Sequence, residues 1–129
     1  MITVVADILD YKKQNVVMIS LHSFTRQLRT SSQVRPWDIG LLYHEPNALT
    51  SFLLKSLRDK GTICVGDNEP YDLRNSCPSS VSIHAVPRGI DYVEIEICND
   101  GLADSAGIQK WSSLLTDLLR DYLTQRKSQ

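Results

Sequence analysis

Residues 16–21, VVMISL, are a continuous apolar run of strand length. Such a run is typical of a strand covered on both faces in a parallel sheet. It ends on His22, with Ser23 and Thr25 just behind. Upstream, residues 3–13 read as a helix, with Val4, Val5, Ile8, Leu9 and Lys12 at helical spacing. No cap precedes that pattern, which points to an element begun in its middle. Residues 26–38 are polar, contain Pro36, and read as a long loop. IGLLY, 39–43, is a short second strand or an apolar loop segment. EPNALTSFLLKSLRDKG then predicts a helix. Pro46 suits its first turn, and Lys60 and Gly61 suit its end. Ala48, Phe52, Leu53 and Leu57 form its apolar face, with Leu49 and Leu54 beside them. TICVG predicts a third strand, and the Asp-, Asn-, Pro- and Ser-rich stretch DNEPYDLRNSCPSS predicts a loop. SVSIHAVPRG is a short helical turn broken by Pro87.

The last two elements are clearer. DYVEIEIC alternates, with Val93, Ile95 and Ile97 on one face and Glu94, Glu96 and Cys98 on the other. Asp104 is placed to cap a final helix over 105–125, striped by Ile108, Trp111, Leu114, Leu115, Leu118, Leu119 and Tyr122. The tail TQRKSQ reads as solvated. Strands alternating with helices predict one α/β domain over 1–129, with a mainly parallel sheet flanked by helices.

Composition narrows the classes of function. The 129 residues suffice for one domain, and a net charge of −1 gives no electrostatic case for nucleic acid or an anionic membrane. No stretch approaches the roughly 20 apolar residues of a membrane helix. The N-terminus lacks the basic start and cleavage site of a signal peptide, so the cytoplasm is the expected location. Cys64, Cys77 and Cys98 lack the spacing of a zinc site and are expected to be reduced bystanders.

The chemistry concentrates at strand ends, where open α/β sheets bind ligands. His22 either caps a core strand or points into a working site. Glu94 and Glu96 lie inside a strand. For Glu94 the plain alternative is a solvated edge. A buried charge there must be paired, bound to metal or protonated. Glu96 facing a cleft would be suited to general-base work. His22, Arg35, Asn68, His84, Arg88 and Glu96 form a candidate cleft. Within that set, a histidine, a carboxylate and two guanidiniums suit metal-assisted attack on a small anionic substrate, the arginines clamping its carboxylates. His44 reads as a loop residue. A catalytic zinc site normally has three protein ligands, and no HExxH is present.

SLHSFT, RPWDIGLLY, VGDNEPYD, HAVPRG and VEIEICND, in this order, resemble the N-formylglutamate amidohydrolase family. The likeness continues through DSAGIQKWSSLL and runs from about residue 10 to residue 120. What the resemblance implies is a fold similar to zinc-dependent exopeptidases and a metal-assisted water attacking an amide. The reaction it implies is hydrolysis of N-formyl-L-glutamate to formate and glutamate, in histidine breakdown. Carried over, His22 looks like a metal ligand, most simply for zinc, and Glu96 like the general base. Arg35 and Arg88 match arginines able to hold substrate carboxylates. Asn68 and His84 match family positions and join them as substrate-binding candidates, His84 being the remaining candidate ligand.

There are departures. Arg26 stands where the family usually has proline, which predicts a looser loop. Cys98 replaces the usual arginine two residues after the base, which weakens the substrate assignment. The likeness covers the C-terminal half of the family pattern, so the upstream half with its other ligands is expected to be missing. Two functions follow. One is a hydrolase completed by a second polypeptide or a rebuilt site. The other is an inactive remnant or interaction domain, prone to self-association through an uncovered sheet edge.

Overall fold

The computed structural model describes residues 16–75 and 79–127. The helix expected over 3–13, and Cys77, lie outside the described residues. β1 (Met18–Phe24), β2 (Ile39–Leu42), β3 (Val65–Asp67) and β4 (Tyr92–Cys98) form one sheet in the order β1-β4-β2-β3. The β1–β4 and β2–β3 pairs are parallel, and β2–β4 is antiparallel. The sheet is therefore mixed, with its antiparallel junction at the centre. The reason is the loop over 25–38, which turns back past the carboxyl end of β1 and sends β2 the opposite way.

One face of the sheet carries Ile39, Leu41, Val93, Ile95 and Ile97 in a single apolar cluster with the two long helices. These are α1 (Ala48–Asp59) and α3 (Ser105–Lys127). Fully burying each such Leu or Ile is worth roughly 1.5–3 kcal/mol. The buried positions of α1 are Leu49, Thr50, Leu53 and Leu57, while Ala48 is exposed. The helical face is thus centred one residue later than the sequence pattern placed it. Pro46 precedes the helix, and Asn47 caps it in a reciprocal capping box with Thr50. Asp104 caps α3 as expected, its Oδ1 accepting from Gly107 N–H at 2.8 Å. α3 is pinned to the start of β4 where the Tyr122 hydroxyl donates to Asp91. Burial, with that bond, pushes the Tyr122 phenol up to about 12.

The opposite face is covered at one end only. The short helix α2 (Ser80–Ala85) buries Val81 and Ala85 against Leu42, Tyr43, Ile90 and Tyr92. Tyr92 latches the turn before α1, its hydroxyl accepting from His44 N–H and Glu45 N–H, each at 2.9 Å.

The loop after β3 folds back onto this same face. Gly40 stands in register with Glu96, and a Cβ on Gly40 would sit 2.0 Å from the Glu69 carbonyl oxygen. Only a residue without a side chain lets that backbone cross the sheet beside Glu96. Asn68, at the bend, has φ 54°, a left-handed conformation that asparagine tolerates. We expect Gly40→Ala to displace this crossing and cost about 1–3 kcal/mol, as overpacking does. A urea titration reads it, and an unchanged midpoint would refute the close approach.

Candidate functional site

The sheet face left open by α2 holds the charged residues. The register of β1 on β4 sets Ser20 beside Glu94 and His22 beside Glu96. The period of two along each strand turns all four side chains to one face. His22, Glu94 and Glu96 each bring one potential ligand atom to within 4.8 Å of the others. His22 Nε2 is 2.8 Å from Ser20 Oγ and 3.7 Å from Glu94 Oε1. The His22 side chain is half-exposed and that of Glu94 only 12% exposed. Glu96 is 6% exposed, and its Oε2 is buried with no hydrogen-bond partner among the described residues.

Electrostatics follow from this burial. Desolvation raises the Glu94 carboxyl above its ordinary range, against the pull of His22. Desolvation likewise raises Glu96, opposed by His22, reinforced by Glu94 and opposed by Arg35. A carboxylate whose burial raises it above its ordinary range is a better proton acceptor than a solvated one.

Arg35 reaches the site from the loop before β2. Its guanidinium lies 5.1 Å from the Tyr71 ring centroid and 5.9 Å from that of Phe24. Its Nη1 donates to the Thr25 carbonyl at 3.1 Å and to the Tyr71 hydroxyl at 3.3 Å. Aromatic contacts on a guanidinium fix its plane without using up its donors. Asn68 is buried, its Oδ1 accepting from Tyr43 N–H at 2.8 Å while its Nδ2 is without a partner among the described residues. His84 is buried on α2, and Arg88 Nη1 donates to its carbonyl at 2.9 Å. His84 is not a member of the metal-competent cluster. The structure thus brings together His22, Glu96 and the field of Arg35, and places His84 on α2, which covers one end of the same sheet face, and Arg88 in the turn that follows it.

The family profile described as N-formylglutamate amidohydrolase matches residues 2–103. The chain belongs to the N-formylglutamate amidohydrolase family. The crystal structure of gene product Atu2144 from Agrobacterium tumefaciens superposes with a TM-score of 0.80 at 23% identity. The overlap takes in 97% of this chain and 50% of that one. The chain therefore spans about half the length of this structural relative and shares its fold over that half. No curated protein sequence matches the chain.

Two features of this amidohydrolase-family chain differ from expectation. The loop carrying Arg26 is tied down rather than loose. Arg26 pairs with Asp100 at 2.6 Å and Asp38 at 3.2 Å, and its Nη1 donates to the Arg35 carbonyl at 2.9 Å. The Asp100 bond, above all, holds Arg26 above its ordinary value and Asp100 below its own. The backbone closes the same link, Arg35 N–H donating to the Arg26 carbonyl at 2.8 Å. Arg26 thereby fixes where Arg35 starts. Cys98 is buried at the end of β4, and burial pushes its thiol up.

Glu94 is the second difference. β4 is an inner strand, so Glu94 is no solvated edge residue. The signal available in the sequence was the pair of carboxylates two apart in a strand. What sequence could not supply was the strand order.

The raised carboxyls make stability pH-dependent. A carboxyl that binds its proton more tightly when folded destabilises the fold as pH climbs from its unfolded value through its folded one. For Glu94 and Glu96 the decline starts near 4.5. Asp72 and Asp100 are lowered and act with opposite sign, below about 3.8. Glu96→Gln is expected to flatten the decline above pH 4.5. Denaturation midpoints measured across about pH 4 to 8 test this, and equal slopes in variant and parent would refute it.

Proposed function

We propose that the chain works as a metal-dependent amide hydrolase of the N-formylglutamate amidohydrolase type, with a fold akin to the zinc-dependent exopeptidases. The observation that carries this is the His22, Glu94 and Glu96 cluster, in which a buried Glu96 oxygen lacks a hydrogen-bond partner among the described residues. An imidazole with carboxylates beside it is donor chemistry that suits zinc or a similar divalent cation, His22 serving as ligand and Glu96 being kept for the base. Such an ion polarises an amide carbonyl and acidifies water.

The chain's own residues take the remaining roles. His22 is the ligand on β1. Glu96 accepts the proton of the attacking water and returns it to the departing amine, breaking the C–N bond. Burial supplies the basicity this needs. Among the described residues Arg35 makes its side-chain hydrogen bonds through Nη1, which leaves Nε and Nη2 for a substrate carboxylate. Arg88, His84 and Asn68 are the further candidates to hold the substrate. The reading is hydrolysis of N-formyl-L-glutamate, or a related small anionic N-acyl amino acid, in the cytoplasm and in histidine breakdown.

A second observation favours a reading as an interaction domain. Among the described residues β1 is an edge strand, and Leu21 on it is 64% exposed. Between β1 and α3 lies an apolar groove of about 810 Å³, lined by Ile19, Leu21, Ile97, Ile108 and Leu119 among others. Self-association, or the other half of an amidohydrolase domain, would cover it.

Glu96→Gln should cut formate release from N-formyl-L-glutamate by about 10²- to 10⁴-fold, as for loss of a general base. Unchanged turnover would remove Glu96 from that role. Under the second reading, light scattering shows concentration-dependent oligomers that Leu21→Lys abolishes. A monomer at all concentrations would count against that reading.

A further inference from the structure

We infer that Tyr71 is a positioning residue for Arg35, holding its guanidinium so that the Nε and Nη2 edge stands free for a substrate carboxylate. The inference rests on the reading of Arg35 as the group that takes that carboxylate, and gives a role to a residue that reading leaves unassigned.

The first argument is where the contacts of Tyr71 go. Tyr71 is 43% exposed and belongs to neither apolar cluster. Its hydroxyl accepts from Arg35 Nη1 at 3.3 Å, and its ring centroid lies 5.1 Å from the guanidinium carbon. Among the described residues Tyr71 makes no other side-chain hydrogen bond or ring contact. A ring left so open to water adds little to the core, so packing does not account for its place. A cation within about 6 Å of an aromatic face is attracted to it.

The second argument is what is fixed on Arg35 and what is left free. Nη1 is used twice, by the Tyr71 hydroxyl and by the Thr25 carbonyl at 3.1 Å. Nε and Nη2 make no hydrogen bond among the described residues. Their N–H groups point the same way, in the fork that matches the two oxygens of a carboxylate. The backbone of Arg35 is fixed separately, through Arg26. A fixed backbone still leaves a long side chain free to turn, and ordering that chain on binding lowers affinity. Tyr71 supplies the order before a substrate arrives.

The third argument is how the fold delivers Tyr71. After β3 the backbone crosses β2 at Glu69, whose carbonyl oxygen would stand 2.0 Å from a Cβ on Gly40 and 2.6 Å from one on Gly66. Two positions without side chains let the crossing run this close. Tyr71 follows two residues later and meets Arg35, which comes from the loop before β2.

The experiment is calorimetric titration of N-formyl-L-glutamate into the 129-residue chain, Arg35→Ala, Tyr71→Ala, Tyr71→Phe and the Arg35→Ala/Tyr71→Ala double variant. Arg35→Ala is expected to weaken binding about 10- to 100-fold, as loss of a charged hydrogen bond does. Tyr71→Ala is expected to weaken it about 3- to 10-fold, the effect of one side chain that must be ordered on binding. In the Arg35→Ala background Tyr71→Ala should cause no further loss. Tyr71→Phe keeps the ring and should recover part of the affinity. Equal losses from Tyr71→Ala in both backgrounds would overturn the inference, since Tyr71 would then act without Arg35. Unweakened binding in Tyr71→Ala beside weakened binding in Arg35→Ala would overturn it too, and leave the reading of Arg35 standing. If Arg35→Ala binds as the parent does, or the parent does not bind, both are overturned.

Discussion

The register of β1 on β4 is the constraint on which the site depends. A slip of one residue would turn His22 toward the apolar face that holds Ile95 and Ile97. A slip of two would move it one step along the carboxylates. The register is held because β4 is packed on both faces and on both sides, by α1 and α3 below and by α2 above. Tyr92 and Asn47 tie its start to the turn before α1, and Tyr122 ties α3 to Asp91. The site is therefore set by packing at the opposite end of the strand from its chemistry.

Desolvation is the second organising effect. The open part of the sheet face is bounded by α2 at one end and by the loop crossing over Gly40 at the other. Glu94 and Glu96 lie on the part of the face between them. There desolvation raises both carboxyls, while the His22 side chain beside them is half-exposed. Opposite-sign partners are few and partial. Arg35 acts through its field and spends its direct contacts on Tyr71 and Thr25.

Arg26 shows how one substitution is absorbed by tertiary contacts. Proline at that position would stiffen the loop by restricting φ. Arginine stiffens it from outside instead, by reaching Asp38 before β2 and Asp100 after β4. The backbone pair with Arg35 then carries that order to Arg35 itself. Family membership was legible in the short motifs themselves, which fall on β1, β2, α2, β4 and the loop after β3.

The alternation of β4, the caps and apolar stripes of α1 and α3, and the strand-end position of His22 were all determined by the sequence alone. Each is a local property, written in a period of 2 or 3.6 and in residues that satisfy free backbone groups. Strand order, the antiparallel junction at the sheet's centre and the inner position of β4 were decided only by the tertiary structure. Glu94 illustrates the difference. Its place on the polar face follows from counting along the strand, but its burial depends on β1 and β2 lying to either side. Those neighbours, Leu42 and Ser20, stand 52 and 74 residues before Glu94, joined through the loop over 25–38 that turns the chain around. Pairings at that separation are chosen by how the whole set of apolar faces is covered, and no window of sequence contains that choice.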